Sequence, residues 1–160
     1  MGEPRWKPNV TVAAVIERDG RFLLVEEMTA DGLRLNTPAG HLDPGESLVE
    51  AVAREVLEET MRPFVAQALV GIHMGRLQRP GGEDITFLRF AFTGSVAEPV
   101  AGRVYDEPVV ANHWLSWEEL QACRARHRSH FVLDSIGQYR AGQRYPLDLL
   151  HTDPSLYAGA

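Results

Sequence analysis

The sequence predicts an α+β fold, and three observations support that prediction. Segments rich in β-branched residues dominate the middle of the chain, helical segments interrupt them irregularly, and two Ser-x-x-Glu capping boxes mark helix starts. Strands that alternated regularly with helices would instead predict a repeated βαβ array. The pattern therefore favours an α+β or α/β sandwich.

The predicted strands follow from β-branched composition and from turn residues. Val10 to Glu17 is the first strand, Asp19-Gly20 supplies a hairpin turn, and Phe22 to Glu26 returns as the second. A short extended piece is expected over Leu33 to Pro38. The remaining strands are expected at Val65 to Met74, at Ile85 to Phe92 and at His113 to Leu115, with a turn at Pro80-Gly81-Gly82 between the first two.

The predicted helices have local start and stop signals. Ser47 begins the first helix, because its side chain can cap free N–H groups and Glu50 completes the capping box. Its expected buried stripe comprises Val49, Val52, Ala53 and Val56. The other two helices are expected to begin at Ser116, with Glu119 completing a second box, and to span Phe131 to Ala141, ending at Gly142.

Composition predicts one compact domain over residues 1–160. A chain of 160 residues with 44% hydrophobic content can bury a real core, and it contains no repeat or low-complexity linker. The net charge of -6 argues against a general nucleic-acid coat protein and against a binder of anionic membranes. Cys123 is the only cysteine, which excludes an internal disulfide and a cysteine-rich zinc cluster.

The start of the chain carries charges and prolines where a signal peptide needs an apolar stretch. The longest apolar stretch, Val12 to Ile16, is too short to span a bilayer. We therefore expect a cytoplasmic protein that contacts neither membrane nor nucleic-acid polymer. Its expected state is a monomer or a small homo-oligomer.

Acidic side chains crowd one face of the first helix. Glu55 and Glu59 are four residues apart and Glu58 lies one turn from Glu55, so the three share an arc of roughly 100°. Their repulsion is costly beside a buried stripe, and Arg54 alone cannot neutralise these acids together with Glu46. A solvated acidic face is the alternative interpretation. The whole arrangement instead predicts a site for hard divalent cations, Mg²⁺ or Mn²⁺, since its ligands are oxygens.

Metal ions among carboxylates indicate chemistry on phosphates. Such ions polarise a phosphoryl oxygen and lower the pKa of a bound water, and a neighbouring carboxylate can then act as general base. The expected reaction is attack of water on a diphosphate linkage. Its partner would be a small phosphorylated molecule.

The stretch from Gly40 to Glu59 resembles the signature of the Nudix hydrolases, and the signature region covers about residues 40–61. The signature reads Gly, five residues, Glu, seven residues, Arg-Glu, an aliphatic, any residue, Glu-Glu, any residue, Gly, aliphatic. The matching positions are Gly40, Glu46, Arg54, Glu55, Val56, Glu58 and Glu59. Met61 and Arg62 replace the last two. Met61 in the left-handed conformation of that glycine would cost about 1 kcal/mol, or the helix could continue towards Pro63.

The resemblance implies an αβα sandwich with a mixed sheet and a loop–helix–loop metal site. It implies metal ligands at Glu55, Glu58, Glu59 and the Gly40 carbonyl. Glu55 or Glu59 would be the general base. It implies that Arg54 orients the glutamates and that Glu46 supports the loop.

Longer segments, above all SIGQYRAGQRYPLDLL, are similar to a bacterial phosphatase subgroup of that family. This similarity implies Mg²⁺-dependent hydrolysis of nucleoside tri- and diphosphates, hydroxymethylpyrimidine pyrophosphate and thiamine pyrophosphate. Two alternatives stay open at this point. One is a nucleotide-sensing binding module on the same fold, and the other is a pyrophosphatase for ADP-ribose or dinucleotides.

Substrate contacts are expected from residues outside the acidic helix. The candidates are Arg34, Asn36, Arg89, Asp106 and Glu107. The loop acids could equally be solvated, and Arg89 could form a surface salt bridge. His41 is expected to pack or hydrogen-bond within its loop, since the glutamates already supply hard ligands.

Overall fold

The computed structural model describes residues 2–78 and 81–158, so Pro80 of the predicted turn lies outside the described residues. The strands are β1 (Asn9–Val15), β2 (Glu17–Arg18), β3 (Arg21–Thr29), β4 (Gly32–Asn36), β5 (Ala39–His41), β6 (Phe64–Leu77), β7 (Ile85–Val96) and β8 (Val109–Ser116). The α-helices are α1 (Leu48–Thr60), α2 (Trp117–Ala122) and α3 (Phe131–Arg140). Short 3₁₀ turns occupy Arg124–Arg126, Leu147–Leu149 and Pro154–Tyr157. None of the described helices is long and apolar enough to span a bilayer.

The strands form two sheets. The first has the order β5-β1-β7-β6, in which β1 and β7 run parallel and the other pairs are antiparallel. In the second sheet β3 pairs with β2, β4 and β8, all antiparallel. The parallel pair makes the first sheet mixed, and the α+β prediction is confirmed.

Strand β1 contributes to hydrophobic clusters on both of its faces. Val12 and Ala14 belong to the cluster that includes Val52 and Val56 of α1. Val15 belongs to the cluster that includes residues of α2 and α3. Because side chains alternate along a strand, helices cover opposite faces of the layer that contains β1, which gives the αβα arrangement.

The capping boxes at Ser47 and Ser116 are both formed as predicted. The expected buried stripe of α1 was partly wrong, because Ala53 is only half-buried whereas Ala51 is buried. The buried face of α1 is displaced from the predicted stripe towards Ala51, because Glu55 is also on the buried face. Helix α1 ends at Thr60, and Met61 adopts the left-handed conformation with φ 61°.

The strand predictions were too short at several ends. The extended piece expected over Leu33 to Pro38 corresponds to β4, which pairs with β3. The separate strand β5, which pairs with β1, was not predicted. Strand β8 has eight residues rather than the three expected, because it pairs along most of β3. This pairing is between segments distant in the sequence, and no local signal reveals it.

Candidate active site

An open cavity of about 400 Å³ lies between β1, β4, β5, α1 and the segment that precedes α3. Its acidic lining residues are Glu27, Asp43, Glu55, Glu59 and Glu107, and its basic lining residues in the described part of the chain are Arg89 and Arg128. Leu77, Phe87, Pro108 and Phe131 add apolar surface. Five carboxyl groups against two guanidinium groups leave an excess of potential negative charge, which favours cations in the cavity.

Gly40 and Glu55 are in unusually close contact. Gly40 lies on β5 opposite Val12, and a Cβ atom added to it would lie 2.0 Å from the Glu55 Oε1. Only a glycine leaves room for the carboxyl group at this point. Glu55 is 9% exposed, and burial raises its pKa, partly opposed by the hydrogen bond from Arg54.

Glu59 lies one turn further along the same face of α1. Its Oε2 accepts a hydrogen bond of 2.9 Å from the backbone N–H of Ala39, the neighbour of Gly40 on β5. Burial raises the pKa of Glu59 well above its ordinary value. The helix thus directs the buried Glu55 and the half-buried Glu59 towards the short strand β5.

Arg54 connects the loop before α1 with the helix. It donates to both carboxylate oxygens of Glu46 at 2.7 and 3.0 Å and to the His41 carbonyl at 3.0 Å. Its Nη1 donates to Glu55 at 2.8 Å and to Glu58 at 3.1 Å. These contacts raise the pKa of Arg54 and lower that of Glu46.

Glu50 lies four residues before Arg54 on α1, within reach of an i, i+4 ion pair. The structure does not bring these two together, because the Glu50 carboxylate completes the capping box and accepts from the Tyr157 hydroxyl. Glu46 also accepts from the backbone N–H of Asp43 at 2.7 Å. The loop is therefore tied to itself and to Arg54.

Carboxyl oxygens are the main candidate ligands for a metal ion at the cavity. Within residues 2–78 and 81–158, no three His, Cys, Asp or Glu side chains converge closely enough to hold one ion. Glu55 and Glu59 line the cavity with Gly40, whereas Glu58 is directed to Arg54 and lies outside the lining. The available ligands are nonetheless hard oxygens, and two are carboxyl groups whose burial leaves their charge poorly solvated. This chemistry fits Mg²⁺ or Mn²⁺.

Arg89 is buried rather than at the surface, so the alternative of a surface salt bridge is wrong. It is 6% exposed, and its Nη2 donates to the Thr37 hydroxyl at 2.5 Å and to Asn36 Oδ1 at 3.5 Å. Burial lowers the pKa of Arg89 to about 10, with Glu59 and Glu27 opposing the shift. Arg89 and Asn36 both line the cavity.

The other candidates for substrate contact are divided between the cavity and its surroundings. Glu107 lines the cavity, whereas Asp106 and Arg34 do not. Asp106 contributes its backbone N–H to the Glu58 carbonyl at 3.1 Å, and the side chain of Arg34 donates to the adjacent Leu33 carbonyl. His41 lies at the cavity wall and contacts Asn9 at 3.4 Å.

The lining residues that sequence reasoning missed include Glu27, Phe87, Arg128 and Phe131. Glu27 had a signal in the sequence, because it is a carboxylate near the end of the apolar run of β3. In the structure it is 6% exposed. Arg128 had none, because its partner in the cavity, Glu27, lies 101 residues away in sequence. Phe131 approaches β6 only because position 75 is glycine, where a Cβ would lie 2.6 Å from the ring.

Comparison with known proteins identifies the family. The sequence pattern described as NUDIX domain matches residues 6–134. The phosphatase NudJ of Escherichia coli is 42% identical over 147 residues, which cover 91% of this chain and 92% of that protein. A solved NUDIX hydrolase from Nitrosomonas europaea is 46% identical with a TM-score of 0.85, covering 92% of this chain and 98% of that one.

More distant structures share the fold. The MutT protein from Methanosarcina mazei Go1 is 25% identical with a TM-score of 0.69, covering 88% of this chain and all of that one (100%). The NUDIX domain of Shewanella oneidensis NrtR, solved with ADP ribose, is 19% identical with a TM-score of 0.66, covering 86% of this chain and 90% of that one. Two signature glutamates, Glu55 and Glu59, line one cavity. Together with this, the match to the NUDIX domain and the two similarities at 42% and 46% identity establish that the chain is a Nudix hydrolase and a homologue of the phosphatase NudJ.

Proposed function

We propose that this Nudix hydrolase cleaves phosphoanhydride bonds of nucleoside tri- and diphosphates with Mg²⁺, or with Mn²⁺ in its place. Related small pyrophosphates, namely hydroxymethylpyrimidine pyrophosphate and thiamine pyrophosphate, belong to the same proposed range. The observation that carries the proposal is the pair of carboxyl groups of Glu55, which is buried, and Glu59, which is half-buried, both directed at β5 in a cavity rich in acidic groups. Such groups need cations, and cations at a cavity attract phosphates.

The residues proposed to hold the metal are Glu55, Glu58, Glu59 and the Gly40 carbonyl. When bound, the metal polarises a phosphoryl oxygen and lowers the pKa of a coordinated water. Arg54 would release Glu55 and Glu58 while keeping Glu46 and the His41 carbonyl, and so would hold the loop in place.

Glu55 or Glu59 is proposed to accept the proton from the attacking water. Burial favours the protonated form of both side chains, and a carboxylate of raised pKa is the stronger base. The Ala39 N–H fixes one oxygen of Glu59 and leaves the other without that restraint. Arg89 and Asn36 would contact the substrate from the opposite sheet strands, β7 and β4.

The cavity volume supports small substrates over dinucleotides. About 400 Å³ lies near the lower end of the roughly 300–1,000 Å³ that is usual for ligand sites. The 42% identical relative is the phosphatase NudJ, and this similarity supports release of orthophosphate. The ADP-ribose and sensor alternatives have weaker support. The NUDIX domain that was solved with ADP ribose is only 19% identical to this chain, so it shows the fold alone.

The test measures orthophosphate and pyrophosphate release from a panel of nucleotides, ADP-ribose and thiamine pyrophosphate, with Mg²⁺ and with EDTA. Glu55→Gln and Glu59→Gln are each expected to lower kcat by about 10² or more, because each loses a metal ligand or the base. Glu98→Gln is the control, since Glu98 is exposed and pairs with Arg18. Turnover that is insensitive to EDTA would reject the metal dependence. Near-normal rates in both cavity variants would reject the residue assignment.

A further inference from the structure

We propose that Arg128 binds a phosphate group of the substrate and that Glu27 positions it for this role. Both residues lie outside the Nudix signature. The inference rests on the proposed function, because it adds a recognition residue for the same phosphorylated substrate.

The main chain holds Arg128 at the wall of the cavity. Its backbone N–H donates to the Leu35 carbonyl of β4 at 2.8 Å, and the preceding His127 forms a parallel bridge with Leu35. From this anchored position the Arg128 Nη1 donates to Glu27 Oε2 at 2.8 Å. The guanidinium therefore has a defined location beside the cavity without any ligand.

The two partners differ in accessibility. The side chain of Glu27 is 8% exposed, whereas that of Arg128 is 37% exposed. A guanidinium group has five N–H donors, and only one of them bonds to another side chain in the described residues. The other donors can meet phosphate oxygens, for which the planar fork of arginine is well matched.

Arg89, the other basic residue described in the cavity wall, is less available. Its side chain is buried and already donates to Thr37 and Asn36. Arg128 therefore offers the more accessible donors in a cavity that also contains Glu55 and Glu59. A phosphate drawn to cations at these carboxylates would gain a charge-assisted contact from Arg128.

A neighbouring ion pair provides a matched control. Arg126 pairs with Glu26, which also contacts His113 at 2.8 Å. Glu26 and Glu27 are adjacent on β3 and so point to opposite faces, and neither Arg126 nor Glu26 lines the cavity. The two pairs join the same two segments, but only the Arg128 pair faces the proposed substrate.

The binding test uses methylenediphosphonate, a non-hydrolysable diphosphate, with Mg²⁺ and the full chain in isothermal titration calorimetry. Arg128→Ala is expected to raise Kd about tenfold to a hundredfold, as loss of a charge-assisted hydrogen bond does. Arg126→Ala is expected to stay within about twofold of the wild type. Arg128→Lys keeps the positive charge, and it should bind more tightly than Arg128→Ala but less tightly than the wild type. This variant also serves if Arg128→Ala does not fold.

The role of Glu27 is tested through KM in the hydrolysis assay. Glu27→Gln keeps an acceptor for Arg128 and should retain most of the affinity, whereas Glu27→Ala should raise KM about as much as Arg128→Ala. The double variant Glu27→Ala/Arg128→Ala should add little, because the two residues act as one unit. A purely structural pair would lower stability and leave KM and Kd unchanged.

Two results would overturn the inference. One is an unchanged Kd in Arg128→Ala, and the other is an equal loss in Arg126→Ala. Either result could coincide with normal Mg²⁺-dependent hydrolysis by the wild type, so the proposed function would still stand. Absence of hydrolysis by the wild type across the whole panel would instead reject that function.

Discussion

Replacing Gly40 by alanine should separate activity from stability. The added Cβ would lie 2.0, 2.1 and 2.3 Å from the Oε1, Cδ and Oε2 atoms of Glu55, whereas ordinary contact begins at 3.4 Å. The whole carboxyl group must therefore move by about 1.4 Å. A displacement of about 1 Å at a reacting centre can cost roughly 10²-fold in rate. We expect kcat of Gly40→Ala to fall by about 10² or more.

The free energy of unfolding should change much less. The obstructing atoms are the end of a flexible side chain, and removal of a glycine stabilises a compatible position by about 0.4–1 kcal/mol through the unfolded chain. We therefore expect Gly40→Ala to unfold within about 1 kcal/mol of the wild type. Gly137→Ala is the control, since its Cβ would meet only Trp117 at 3.9 Å.

Phosphate release under saturating Mg²⁺ and urea denaturation of the same samples measure the two quantities. Retention of more than about half of kcat in Gly40→Ala would refute the reasoning, because Glu55 would then not need its observed position. A large drop in the free energy of unfolding of Gly40→Ala would also contradict the prediction. In that case the activity loss would have no site-specific meaning.

Three further predictions concern stability. Met61→Gly should raise the free energy of unfolding by about 1 kcal/mol, or Tm by about 2–4 °C, because φ 61° strains a side chain other than glycine; an unchanged Tm would contradict this. Ser47→Ala should cost about 1 kcal/mol in urea denaturation, since the capping box of α1 is lost. Burial raises the pKa of Glu59 above its ordinary value of 4.5. The contribution of protonated Glu59 to the free energy of unfolding is therefore complete below about pH 4.5 and is lost as pH rises through the higher folded pKa. In EDTA, the stability gain of Glu59→Gln over the wild type should therefore grow from pH 5 to pH 8, and a gain independent of pH would contradict the shift.

Features encoded by neighbouring residues could be predicted from the sequence. The capping boxes at Ser47 and Ser116 depend on contacts within four residues, and both formed as expected. The helical spacing of Glu55 and Glu59 likewise predicted a shared face. These predictions succeeded because the determining interactions lie within one turn of helix.

Features that depend on strand pairing could not be predicted in this way. Arg89 could have met substrate or formed a surface salt bridge as far as the sequence showed, and its burial follows from β7 lying between β1 and β6. The pairing of Arg128 with Glu27 joins residues 101 positions apart. The spacing of Glu58 also predicted a place beside Glu55 and Glu59, yet Glu58 accepts from Arg54 and lies outside the cavity lining.

The position of β1 links the integrity of the cavity to that of the whole molecule. This strand hydrogen-bonds to β5 and β7 and supplies side chains to both hydrophobic clusters. Gly40 is thus paired with β1, the strand whose loss would disrupt both hydrophobic clusters. Amide protons of Val12 and Ala13 should consequently exchange with deuterium only in molecules that unfold completely. We expect β1 to stay ordered even when the segments at the mouth of the cavity open locally.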